Sequence, residues 1–298
     1  MLPPELLALA FGCLDFNEQH MTVALLSAYW HDWALQQRGG NPWFRLKLSQ
    51  PLPRHAVQHA WSRPGLLAAD TQQTTALASA VAGSGDLELL RWLRSQKPPC
   101  PWDAQACAAA AGGGHLGVVQ WLRAQDPPCP WDERSCAEAA RGGHLGILQW
   151  LRAQEPPCPW DQWSCAAAAI GGHLGVLQWL RAQDPRCPWD PISCFEAARG
   201  GHLGVVQWLR AQERPCPWGE RSCAAAARGG HLGVLQWLRA QDPPCPWGEL
   251  SCSEAARGGH LGVLQWLRAQ EPPCPWSWSE VRRRAGSKAV RDWVMDAR

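Results

Sequence analysis

Three residue types recur in this chain at spacings that could carry chemistry: cysteine, histidine and tryptophan. Cys107, Cys136, Cys165, Cys194, Cys223 and Cys252 stand 29 residues apart, and His115, His144, His173, His202, His231 and His260 keep the same interval. Cys129, Cys136 and His144 together have the ligand types of a zinc site, repeated along the chain. Zinc sites, however, are built on close Cys-x-x-Cys-type pairs, whereas these two cysteines are separated by a loop and the start of a helix. Cys136 also falls on an apolar stripe, where a free thiol acts as a small hydrophobe. No metal and no other cofactor is therefore expected. The histidines have no partner nucleophile and read as a hydrogen-bonded ladder between neighbouring units rather than as general bases. Repetition itself argues against an enzyme, because catalysis needs one asymmetric constellation and this chain makes the same surface over and over.

The tryptophans form two ladders, Trp121 through Trp266 on apolar segments and Trp102 through Trp276 in the loops. Such rings could stack nucleic-acid bases. That use needs a basic groove, yet the net charge is only +2 and the arginines recur beside acidic residues. The reading is that the rings belong to the core and that nucleic acid is not a partner. A metal- or nucleic-acid-binding array is the reading that zinc content and salt-dependent retention on polynucleotide would separate from this one.

The elements that position these residues follow from the period. A fixed repeat in this range means a solenoid, a stack of one supersecondary unit. In the copy running from Cys136 to Ser164, Asp132 supplies an N-cap, and the same column reads Asp103, Asp161, Asp190, Gly219, Gly248 and Ser277. Pro191 follows Asp190 at the helical position that suits proline. A first helix is expected from about Glu133 to Arg141, closed by Gly142-Gly143. A second, Leu145 to Gln154, places Leu145, Leu148 and Leu151 on one stripe widened by Ile147 and Trp150, and Pro156-Pro157 stops it. Arg152 and Glu155, with Arg181/Asp184 and Arg210/Glu213 after them, are expected to pair on the solvent face. The fold class expected is all-α, a helical-hairpin solenoid.

With Ala139-Ala140-Arg141-Gly142-Gly143-His144-Leu145, the unit resembles an ankyrin repeat, although the family's Thr-Pro-Leu-His start is replaced by Arg134-Ser135-Cys136-Ala137. Residues 1–48 have no copy elsewhere. There Leu2, Pro3, Glu5, Leu6, Leu7, Phe11, Leu14, Ser27 and Trp30 match the pattern of an F-box, which this segment resembles; the other reading is an ordinary helical cap for the solenoid. The F-box resemblance implies docking of Leu2, Pro3, Glu5, Leu6, Leu7, Phe11, Leu14 and Trp30 on the Skp-type adaptor of a cullin-RING ubiquitin ligase. Residues 49–73, rich in Pro and Gln, read as a connector with a helical turn near His55 to Trp61, and 74–298 as the array with a C-terminal cap.

Fourteen cysteines without a secretory signal point to a reducing compartment, cytoplasmic or nuclear. No apolar run approaches the roughly 20 residues of a membrane helix, so no membrane contact is expected. The reading is a monomeric protein-binding adaptor, alternatively a scaffold with no ligase link. Differences between copies concentrate at a few columns. The residue before Ser-Cys reads Arg134, Trp163, Ile192, Arg221 and Leu250, and the residue before Gly-Gly reads Arg141, Ile170, Arg199, Arg228 and Arg257. Trp163, Ile170, Ile192 and Phe195, edged by Arg141 and Arg199, are the expected target-protein site, since exposed aromatics bordered by arginine make binding hot spots.

Overall fold

The computed structural model describes residues 54–61 and 71–296. Two compact units divide the chain, Met1–Trp131 and Asp132–Arg298. The first contains α1 (Arg54–Trp61), α2 (Thr71–Ser84), α3 (Leu87–Ser95), α4 (Ala104–Gly112) and α5 (Leu116–Arg123). The second contains α6 (Glu133–Arg141), α7 (Leu145–Arg152), α8 (Gln162–Gly171), α9 (Leu174–Ala182), α10 (Pro191–Gly200), α11 (Leu203–Arg210), α12 (Glu220–Gly229) and α13 (Leu232–Arg239). It continues with α14 (Glu249–Gly258), α15 (Leu261–Arg268), α16 (Trp278–Arg284) and α17 (Lys288–Asp296). No strand occurs among the described residues, and each unit is a stack of helical hairpins. The F-box-like segment lies outside the described residues, with Leu2, Pro3, Glu5, Leu6, Leu7, Phe11, Leu14 and Trp30.

Local chemistry sets the helix ends. The carboxylates of Asp132, Asp161 and Asp190 accept from the backbone N–H two residues on, each at 3.0 Å, and Gly219 and Gly248 begin their helices without a side-chain cap. At the other end, Gly172 takes φ +74°, a left-handed turn that lets α8 reverse into α9. The second helices end at Arg152, Arg210, Arg239 and Arg268, and α9 one residue later at Ala182, all earlier than the prolines require. There the chain satisfies its own last carbonyls: Ala153 N–H donates to the Gln149 and Trp150 oxygens, and the Gln154 side chain turns back to donate to the Trp150 oxygen.

The first helices are short and alanine-rich because they must pack closely on one another. α6 lies on α8, α8 on α10, α10 on α12 and α12 on α14, burying Cys165, Ala168 and Ala169 and their equivalents completely. Small side chains allow the axes to approach toward the near end of the usual range. Each second helix buries a triplet such as Val176, Leu177 and Leu180 against the first-helix layer. The tryptophans are not in that core. Trp150, Trp179 and Trp208, like the loop rings Trp160 and Trp189, are only half-buried, which corrects the expectation that they form its interior. The reason is angular: a residue next to Leu151 or Leu180 on the chain is turned by about 100° around the helix, onto the flank of the apolar stripe.

Candidate functional site

Three repeated contact systems and one variable surface are candidates for function. The first system is an arginine–tryptophan ladder. The Arg152 guanidinium stacks 4.0 Å from the Trp160 ring, and Trp160 meets Trp179 of the next hairpin edge to face, with centroids 6.1 Å apart at 75°. The series repeats as Arg181, Trp189 and Trp208. Each arginine also donates to a loop carbonyl: Arg152 Nη1 to Cys158 O and Arg181 Nη1 to Cys187 O, both at 2.6 Å. The expected pairing of Arg152 with Glu155 is thereby corrected, because the guanidinium turns back over the loop instead of out toward the acidic residue. The signal in the sequence was a fixed interval of eight residues from each arginine to its loop tryptophan.

Cysteines form the second system. Cys158 Sγ donates to Asp132 O at 3.3 Å and Cys187 Sγ to Asp161 O at 3.3 Å, tying each loop to the start of the preceding first helix. Cys136 is the partner of Cys158, and Cys129 that of Cys107, so the cysteines are matched in pairs 22 residues apart. The thirteen cysteines among the described residues are buried thiols. A hydrogen bond with Cys187 and burial hold the Cys165 thiol far above the ordinary thiol range, and the same causes act on Cys194 with Cys216. Burial pushes Cys100 up to about 12. Among the described residues no group of three His, Cys, Asp or Glu side chains is placed to hold a metal.

Histidines make the third. His202 Nε2 lies 2.9 Å from Ile170 O and His260 Nε2 lies 3.0 Å from Arg228 O. A carbonyl can only accept, so Nε2 carries the proton in both rings. Each imidazole rests on the glycine turn of the preceding hairpin, the His202 ring on Gly172 and the His231 ring on Gly201. These contacts are structural and use no nucleophile.

The variable surface runs over the first helices. Trp163 is 51% exposed near the start of α8, and Ile192 occupies the matching position on α10, half-buried. Leu250, in the same column on α14, is exposed as well. Phe195 and Ile170 are half-buried; Phe195 stands one turn along α10 from Ile192, and Ile170 two turns along α8 from Trp163. Arg141 and Arg199 are exposed at the ends of α6 and α10, paired with Glu138 at 3.7 Å and Glu196 at 3.3 Å. The packed pair α8 and α10 thus carries Trp163, Ile170, Ile192, Phe195 and Arg199, and Arg141 lies on α6, which packs on α8.

No family model matches this sequence, and no curated protein matches it. Solved structures that it resembles include the pentatricopeptide repeat protein PPR10 in complex with an 18-nt psaJ RNA element, at TM-score 0.34 and 12% identity, covering 98% of this chain and 50% of that one. A second is a form of PPR10 with three cysteines replaced by serine, bound to the same RNA element, with the same scores and coverage. The chain therefore spans about half the length of those it matches. Both are pentatricopeptide repeat proteins in complex with RNA. The exclusion of nucleic acid as a partner of this chain is corrected and withdrawn on its own residues. The physical reason lies in the weakness of net charge as a criterion. A net charge near zero does not preclude a local basic column, and Arg199, Arg228 and Arg257 stand exposed at equivalent ends of successive first helices.

Among the described residues no helix is long and apolar enough to cross a membrane.

Proposed function

We propose that this chain is a protein-binding adaptor whose helical hairpins hold a target on the first-helix surface around Trp163. The observation that carries the reading is the exposure of Trp163. On the second helices Val176, Leu177, Leu180 and their equivalents are buried and the tryptophans half-buried, whereas Trp163 and Leu250 of the first-helix column are exposed and Ile192 is half-buried. Exposing about half of an indole to water is unfavourable for an isolated chain, and a partner that covers it recovers apolar burial at roughly 25 cal/mol per Å². In this reading the chain performs no bond chemistry. The ankyrin-like turn sequence and the F-box-like residues Leu2, Pro3, Glu5, Leu6 and Leu7 support a finer version, in which the N-terminal segment docks on a Skp-type ligase adaptor while the array presents the target. Function would then rest on proximity, raising the effective concentration of the target beside the ubiquitin-loaded enzyme. Buried thiols suit the reducing compartments where such ligases work.

Two variants test the two levels separately. Leu6→Asp with Leu7→Asp is expected to abolish binding to purified Skp-type adaptor with array helicity unchanged; wild-type binding by that variant removes the ligase link. Trp163→Ala with Phe195→Ala is expected to leave stability near wild type and to lose protein partners captured by crosslinking. Retention of those partners, or loss of RNA binding in their place, overturns the protein-binding reading.

A further inference from the structure

The arginine column ends in a charge imbalance that the earlier hairpins do not show. On α6 and α10 each arginine before the glycine turn has its own acid one turn back, Glu138 for Arg141 and Glu196 for Arg199. From α12 onward that one-to-one matching fails. Arg228 has alanine at the same position of its own helix and reaches across to Glu254 on α14, Nη1 to Oε2, at 3.5 Å. Arg257 also faces Glu254, at 3.9 Å, and Arg284 of α16 donates to it at 2.7 Å. Arg284 and Arg283 further share Glu280, with Arg283 at 2.7 Å. Four guanidiniums therefore converge on two carboxylates and leave an excess of two positive charges. Arg282, the next in sequence, is turned away onto the Trp278 ring, 5.2 Å from its centroid.

Arg257, Arg283 and Arg284 line a cavity of about 310 Å³ that opens to solvent. The side chains of Arg257 and Arg283 are 54% and 69% exposed, while Glu254, which anchors the cluster from beneath, is only 11% exposed. Glu254 and Glu280 thus act as struts that fix three guanidiniums around an opening, and each guanidinium carries five donors, more than one carboxylate can use. Near the end of α14, Ala256 O accepts from Gly286 N–H at 2.8 Å and so is already partnered. Planar guanidinium forks match tetrahedral oxyanions bidentately, and a dianion would neutralise the excess.

The geometry points to a binding site for a dianionic phosphate group, free or ester-linked, between the ends of α14 and α16. The site is independent of the protein-binding face around Trp163. Calorimetric titration of the full chain with sodium phosphate and with O-phospho-L-serine, at ionic strength held constant with chloride, is expected to show saturable binding at one site. Binding of both assigns the site to an ester-linked group, and binding of inorganic phosphate alone to the free ion. Arg257→Gln with Arg283→Gln, both exposed and so compatible with an intact fold by circular dichroism, is expected to weaken that binding at least tenfold. A control removing equal charge at Arg134 and Arg221 should leave it unchanged. Undiminished phosphate binding in the first pair, an equal loss in the control pair, or no saturable binding by the wild-type chain overturns the assignment.

Discussion

Two glycines three residues apart, Gly172 and Gly175, should respond to the same substitution with opposite sign. Gly172 closes α8 at φ +74°, and a Cβ placed there would stand 2.5–2.9 Å from the Nδ1, Cε1 and Cγ atoms of His202. Gly172→Ala therefore carries two penalties. A left-handed alanine costs roughly 1–2 kcal/mol. The His202 ring must also move, weakening its 2.9 Å bond to Ile170 O, which adds about 0.5–1.5 kcal/mol. The sum is a loss of about 1.5–3.5 kcal/mol. Gly175 lies in the first turn of α9, exposed, with nothing within 4 Å of a Cβ. Gly175→Ala should stabilise by a few tenths to about 1 kcal/mol, through helix propensity and a less flexible unfolded chain. Urea denaturation followed by far-ultraviolet circular dichroism measures both, and the variants' midpoints should fall on opposite sides of wild type. Destabilisation by Gly175→Ala would show that something lies over that helix face, and a neutral Gly172→Ala would refute the seating of His202 on the glycine turn.

Capping and thiol chemistry supply further expectations. Asp161→Ala removes the carboxylate that accepts from Trp163 N–H and should cost about 1 kcal/mol, whereas Gly219→Asp, at an extended and uncrowded position, should gain a few tenths; an unchanged denaturation midpoint in Asp161→Ala, or a lowered one in Gly219→Asp, would argue against the cap geometry. Iodoacetamide should label the cysteines far more slowly in the native than in the denatured chain at pH 8, since burial and hydrogen bonding hold Cys100, Cys165 and Cys194 protonated. Because burial raises the folded-state pKa of Cys100, the stability it contributes is present below the unfolded thiol pKa and is lost as pH rises through that range toward about 12. Denaturation midpoints that rise between pH 8 and pH 10 contradict this.

The hairpins were legible in the sequence because each carries its own punctuation. Asp132, Pro191 and Gly142-Gly143 fix helix ends by local chemistry that needs no knowledge of the neighbours, and α6 begins and ends where those residues place it. Contacts between hairpins were less legible. Trp179 and Leu180 are adjacent in a stripe read along the chain, but only Leu180 is buried against the first-helix layer, and the ring's partner, Trp160, lies in another hairpin's loop. Arg152 satisfied an intrahelical ion-pair spacing and still chose the Cys158 carbonyl, because the chain doubles back after the helix ends. The cysteine pairs were hidden for the same reason: 22 residues separate partners that only stacking brings together. The imbalance around Glu254 depends on Arg228 and Arg284 reaching in from two other helices, and no single copy contains it.

The contacts that join hairpins all span fixed intervals, 26 residues from Cys187 to Asp161, 32 from His202 to Ile170 and 19 from Trp160 to Trp179. Adding or removing one whole 29-residue copy leaves every such interval between the surviving neighbours as it was, while an insertion of any other length shifts the partners out of phase. Misaligned recombination between the near-identical copies in the gene changes length by whole copies, and so yields chains whose joints still fit. The number of hairpins can therefore vary between related proteins with little effect on how any one of them is built, and the reach of the binding surface becomes a quantity that evolution can adjust in discrete steps.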